Sequence, residues 1–209
     1  MNPMSRIRPH LICGKKQLAC LAAAARQEVF DVLEQMGTVS VAELAAVLGR
    51  PADGLYFHLR ALTRAGLVRN AGHRTRSGRT ETLYRTVKPE VQLGYEPQNA
   101  ANRHAVSAIV ASMLRLANRD FRRSFQGGQV VVSGAQRELW AWRKVGRLSR
   151  AELARLNHGI RELAKAVSAP RGDGRLYGVT VILTPLDHRN GGSSRVTRTR
   201  TSARGGQKA

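Results

Sequence analysis

Apolar residues return every three or four positions over three stretches near the start of the chain, and the spacing then changes to two. From Leu18 to Met36 the stripe is Ala22, Ala25, Val29, Val32, Leu33 and Met36, which predicts a helix stopped by Gly37. Ser40-Val-Ala-Glu43 has the form of a capping box, in which each residue's side chain accepts the other's backbone amide. It opens a second helix with Val41, Leu44, Ala45 and Leu48 inward, ending at Gly49. A third helix is predicted from about Pro51 to Ala65, with Leu55, Leu59 and Leu62 on its inner face and Gly66 as its stop. Proline suits a first turn, where the missing amide hydrogen costs little. Leu67 to Asn70 then reads as a short strand and Thr80 to Val87 as its return partner. In the return strand Thr82, Tyr84 and Thr86 share one face, and Leu83, Arg85 and Val87 the other. The stretch between them, Ala71 to Arg79, is expected to be a polar, flexible tip.

The second half is less regular. Lys88 to Arg103 holds Pro89, Gly94 and Pro97 and reads as a linker. A long helix follows, from about Ala105 to Phe125, with Val106, Ile109, Val110, Met113, Leu116, Ala117 and Phe121 on one stripe. Gln129 to Val132 and Leu139 to Val145 are predicted strands. Ser149-Arg-Ala-Glu152 is a second capping box, opening a helix with Leu153, Leu156, Ile160, Leu163, Ala164 and Val167 on one face. Leu176 to Leu183 reads as a buried strand. From His188 onward there is almost no large apolar residue, so disorder is expected there. The pattern divides the chain into a flexible basic arm (1–16), a three-helix-plus-hairpin unit (17–88), a linker (89–103), a smaller α+β region (104–187) and a basic tail (188–209).

Composition narrows the function classes. The chain has 209 residues and a formal net charge of +21, a field that favours a polyanion: DNA, RNA or an anionic membrane surface. Charge alone does not choose among them. No stretch is long enough to cross a membrane, and no membrane partner is expected. Arg6, Arg8, Lys15 and Lys16 before the apolar run Leu18 to Ala25 imitate a weak signal peptide. The run is short and passes into a helical pattern, so a cytoplasmic protein (bacterial cytosol or nucleoid) is expected. Cys13 and Cys20 are the only cysteines. They are either inert thiols or a redox pair, and nothing nearby is arranged to create a reactive thiolate. There is no metal-ligand spacing, no Gly-rich phosphate loop, no Ser/His/Asp arrangement and no pair of catalytic carboxylates. Neither an enzyme, a cofactor nor a metal is expected.

The order of parts points to DNA. A recognition helix must offer a polar face to the major groove while its other face stays in a small core. In the third helix Asp53, Tyr56, Phe57 and Arg60 are the base-reading candidates, with Phe57 alternatively completing the core. Arg50 and Arg64, with Arg74, Arg76 and Arg79 in the hairpin, are the backbone-contact candidates. His58 beside Leu59 reads as a structural, hydrogen-bonded histidine rather than a ligand, and His73 as a solvated hairpin residue.

The run VAELAAVLGRPADGLYFHLRALTRAGLV, Val41 to Val68, resembles the helix-turn-helix of the ArsR-like winged-helix transcriptional regulators. Leu44, Ala45, Leu48, Gly49, His58, Leu59, Leu62, Ala65, Gly66 and Leu67 carry the likeness, and Arg79 to Val87 resembles the returning wing strand. The resemblance covers roughly the first half of the chain. It implies an α+β protein with an N-terminal winged helix-turn-helix, binding to double-stranded DNA, and a homodimer. It also implies that the third helix enters the major groove while the wing meets a minor groove or phosphates. Two departures stand out. Arg50-Pro51 replaces a Ser or Thr cap at the third helix, and the absence of cysteine after Cys20 removes the metal-sensing mode. Val106, Ile109, Val110, Met113 and Leu116 are the dimerisation candidates, with the same chain's C-terminal core as the competing cover. Trp140 and Trp142 share a strand face that either packs in a core or lines a pocket for an unknown small-molecule effector. A non-sequence-specific nucleic-acid binder or chromosome-architectural protein is the alternative function.

Overall fold

The computed structural model describes residues 10–88, 91–168 and 174–186. The fold is α+β. In chain order it contains β1 (His10–Ile12), α1 (Lys15–Leu21), α2 (Ala24–Met36), β2 (Val39–Ser40), α3 (Val41–Leu48) and α4 (Ala52–Arg64). These are followed by β3 (Val68–Arg76), β4 (Arg79–Thr86), β5 (Val91–Leu93), α5 (Ala100–Gln126) and α6 (Arg150–Ser168). The N-terminal helix-turn-helix followed by an antiparallel hairpin has the arrangement of a winged helix. No described helix is long and apolar enough to cross a membrane.

The helix expected over Leu18 to Met36 is two helices. Ala23 is extended, at φ −93° and ψ 118°, and breaks the chain between α1 and α2. Arg26 Nε donates to the Cys20 carbonyl at 2.7 Å, so a carbonyl left over at the end of α1 finds a partner. An apolar stripe cannot reveal such a break, because both helices turn the same kind of face inward. The capping box on α3 forms in full: Glu43 N donates to Ser40 Oγ at 3.3 Å and Ser40 N to Glu43 Oε2 at 2.8 Å. Gly49 ends α3 at φ 60°, a left-handed conformation that favours glycine. Pro51 then caps α4 in an extended conformation. The core lies where Val29 and Leu33 of α2, Leu44 of α3, Leu55, Leu59 and Leu62 of α4, and Val68 of β3 meet, all nearly inaccessible.

The hairpin is longer and more ordered than its sequence suggested. β2, β4 and β3 form one antiparallel sheet in that order, with Val39 opposite Tyr84 and Val68 opposite Thr86. Pairing runs out to Arg76 opposite Arg79, so the expected flexible tip shrinks to Ser77 and Gly78. Both have positive φ, 50° and 76°, as a two-residue turn requires to match the twist of its strands. The register shifts between Asn70 and Gly72, where Asn70 Oδ1 accepts the Gly72 amide at 2.7 Å.

The expected flexible arm is corrected over residues 10–16. β1 pairs in parallel with β5, His10 opposite Val91, and Ile12 is fully buried. Lys15 and Lys16 already belong to α1. Residues 1–9 lie outside the described residues. The expected linker likewise contains β5, and Asn99 caps α5 by accepting the amides of Ala101 and Asn102.

α5 packs its N-terminal half on α1 and α2. Ile109 is 1% exposed, and Val106 and Ser112 are also buried. Val106 and Ile109 therefore cannot serve as dimerisation residues on this fold, since their side chains belong to the chain's own core. Val110 and Met113 pack against the same core partly buried, and Leu116 is half-buried. The strands expected at 129–132, 139–145 and 176–183 do not form, and no strand follows Leu93 among the described residues. The alternation in those segments records what a strand would bury, but a strand also needs a neighbouring edge. The predicted capping box at Ser149 does form and opens α6. The basic tail, 188–209, lies outside the described residues.

Candidate nucleic-acid interface

α4 is two-faced because its leucines fall at spacings of four and three. Leu55, Leu59 and Leu62 are buried, leaving Asp53, Tyr56, Phe57, Arg60 and Arg64 together on the outside. Phe57 is 56% exposed, so it does not complete the core. Its ring meets the edge of His58 at 5.6 Å between centroids. Tyr56 and Phe57 thus give the face apolar contact area, and Arg60 gives it a forked donor able to bind guanine or a phosphate. Asp53 sits in the first turn of α4, where a carboxylate suits the helix dipole. His58 is half-buried, and its Nδ1 has no hydrogen-bond partner among the described residues, contrary to the hydrogen-bonded role expected of it. Burial, with Arg26 and Arg50 nearby, holds its pKa below the usual histidine value.

The five backbone-contact candidates divide by their partners. Arg76 and Arg79 are exposed, face each other across the wing, and make no ion pair among the described residues. Like charges directly opposite on a sheet repel, and a phosphate between them would remove that cost. Arg64 is exposed at the end of α4. Arg74 is engaged: it reaches Glu43 at 2.8 Å and Glu81 at 3.1 Å. The Ser40 amide and then Arg74 hold the Glu43 carboxyl below its usual range, and hydrogen bonds to Glu43 and Glu81 raise the Arg74 guanidinium. Arg74 therefore aims the wing more than it offers charge. Arg50, in the turn before α4, pairs with Glu28 at 2.5 Å. The same carboxylate takes Arg119 of α5 at 2.6 Å.

Two further basic residues were missed by sequence reasoning. Arg69 and Arg85 face each other near the base of the wing, both exposed. The Ser77-Gly78 dipeptide was the available signal for the turn, but only the shift at Ala71 brings Arg69 opposite Arg85 rather than Thr86. They put basic residues at the base of the hairpin as well as at its tip, where Arg76 and Arg79 stand.

Elsewhere, Trp140 and Trp142 are 65% and 70% exposed, which overturns the expectation that they pack in a core. They border a shallow open hollow of about 470 Å³ with Arg137, whose guanidinium lies 4.1 Å from the Trp140 ring centroid. No cluster of three or more potential metal ligands occurs among the described residues. Cys13 is exposed and Cys20 buried, and neither is in a disulfide.

Residues 21–70 match the family model described as a helix-turn-helix domain. The match takes in α2, α3, α4 and the start of β3, the elements that place the exposed face of α4. A comparison with curated proteins gives no match. The chain thus carries a helix-turn-helix DNA-binding domain, followed directly by a basic hairpin.

Proposed function

We propose that the protein is a sequence-specific, double-stranded-DNA-binding transcriptional regulator of ArsR-like winged-helix type that works as a cytoplasmic homodimer and catalyses no reaction. The observation that carries this reading is the outer face of α4, where Asp53, Tyr56, Phe57 and Arg60 stand exposed beside a wing tipped by Arg76 and Arg79. α4 enters the major groove and reads base edges. The wing lies over the adjacent minor groove or its phosphates, where each neutralised phosphate adds about −0.9 to the log–log salt slope. Two copies on successive major-groove faces favour a pseudo-palindromic site. The test is selection of bound fragments from a genomic DNA pool by the purified chain. Enrichment of a shared sequence supports the reading. Uniform coating of all fragments points instead to an architectural binder, which the +21 net charge also suits.

A further inference from the structure

We infer that residues 137–168 and 174–186 form an arm whose occupant is the same arm of a second copy of this chain. The inference rests on the homodimer reading above and gives that dimer its interface. The arm is apolar and uncovered. No residue of α6 is buried, although Leu153, Leu156, Leu163 and Val167 repeat at helical spacing along it. The extended segments before and after it in the chain carry Trp140, Trp142 and Val145, and Val179, Val181 and Leu183, all exposed.

Their backbones also lack backbone partners, although the Leu139 and Pro185 carbonyls accept side-chain hydrogen bonds from Arg137 and Thr184. Among the described residues, no backbone–backbone hydrogen bond involves residues 139–148 or 174–186. The segments are nevertheless drawn together by a side chain. Glu138, only 15% exposed, accepts Arg175 and the Tyr177 hydroxyl at 2.7 Å each through Oε1. Its Oε2 accepts the Val131 amide at 2.8 Å. Two stretches without strand pairing are thereby held near each other, and their solvent-facing backbone groups are free to pair with another chain.

A second copy suits this surface for three reasons. The first is complementarity: one chain holds both an apolar helix face and extended apolar segments, and neither covers the other, so each copy supplies what its partner lacks. The second is size. The exposed large apolar side chains from Trp140 to Leu183 together expose on the order of 1,000 Å² per copy, more than the roughly 800 Å² per partner that a stable interface needs. The third is charge. The stripe on α6 has no ionisable residue along its centre, while Arg155, Arg161 and Lys165 lie off it, so two cationic copies can meet there.

The chain carries its own reporter. Trp140 and Trp142 are its only tryptophans, and both lie in the arm. The experiment uses the full chain without DNA and pairs sedimentation velocity with tryptophan emission at about 20 µM, for the wild type and for Leu156→Glu with Leu163→Glu. Both leucines are exposed, so the helix-turn-helix core is untouched, and its thermal unfolding serves as the folding control. The expected result is a wild-type dimer with blue-shifted emission and a double variant that is a monomer with the emission of water-exposed indole. A dimer that survives both substitutions overturns the arm as the interface and leaves the homodimer standing. A wild-type monomer with water-exposed tryptophans overturns both. Selection from genomic DNA tests the regulator reading separately.

Discussion

Arg74 of the wing donates to Glu43 of α3 at 2.8 Å, which fastens the hairpin to the cap of the helix that precedes the recognition helix. The pair spans elements that are remote in sequence and makes wing position depend on the α3 cap. Arg74→Ala should therefore act on wing placement, with little change in the salt slope of DNA binding. Arg76→Ala should flatten that slope by about 0.9 and weaken all sequences alike. Titrations at several salt concentrations separate the two, and equal flattening would show that Arg74 leaves Glu43 for a phosphate.

Ser40 is buried, and both halves of its capping box are formed. Ser40→Ala should cost about 1 kcal/mol of stability, read as a lower denaturant midpoint at unchanged slope.

The same carboxylate gives a pH dependence. The pKa of Glu43 in the folded chain lies below its ordinary 4.5, first through the Ser40 amide and then through Arg74. A depressed folded value contributes stability above the unfolded pKa, and that contribution is lost as pH falls through the folded value. The stability gap between wild type and Glu43→Gln should be open at neutral pH and close in acid below the ordinary carboxylate range. A gap constant from pH about 6 to about 3 would remove the charge from the account.

Arg60 is exposed on the outer face of α4, away from any carboxylate within ion-pair reach among the described residues. Arg60→Ala should cost about 1–3 kcal/mol at one base pair and relax preference there. Binding measured on single-base variants of a selected site checks it. A uniform loss across all of them would make Arg60 a phosphate contact.

Ile109 is 1% exposed on α5, where it packs with the winged domain. Ile109→Ala should lower stability by about 2–5 kcal/mol, as cavity-forming substitutions do. Thermal unfolding tests this, and a stable variant that has lost only its self-association would return Ile109 to an interface.

Helix-period patterning was legible wherever one face met a core inside the chain. The inner leucines of α4 and the Ser40 capping box stand where periodicity and cap chemistry placed them. Stripes did not show which surface covers them, so Val106 and Ile109 read as an interface when they face α1 and α2. Pairing between remote segments was illegible for a related reason. Neither the three residues of β1 nor the two of β2 are long enough to show a period, and their partners are distant in sequence. In the wing, the dipeptide Ser77-Gly78 marked the turn, but the shifted register beyond Ala71 left no mark in the alternation.

The parallel pairing of β1 with β5 also bears on the order in which the chain assembles. Bringing His10 to Val91 closes a loop of roughly 80 residues, an entropic cost of about 4 kcal/mol before any contact repays it. The wing turn, by contrast, closes over two residues and is nearly local. The hairpin and the three helices can therefore gather first, while the β1–β5 clasp completes late, once the intervening chain has compacted. Folding rate should accordingly be insensitive to changes in β1, and unfolding rate sensitive to them: the clasp acts as a latch on a domain that is already built.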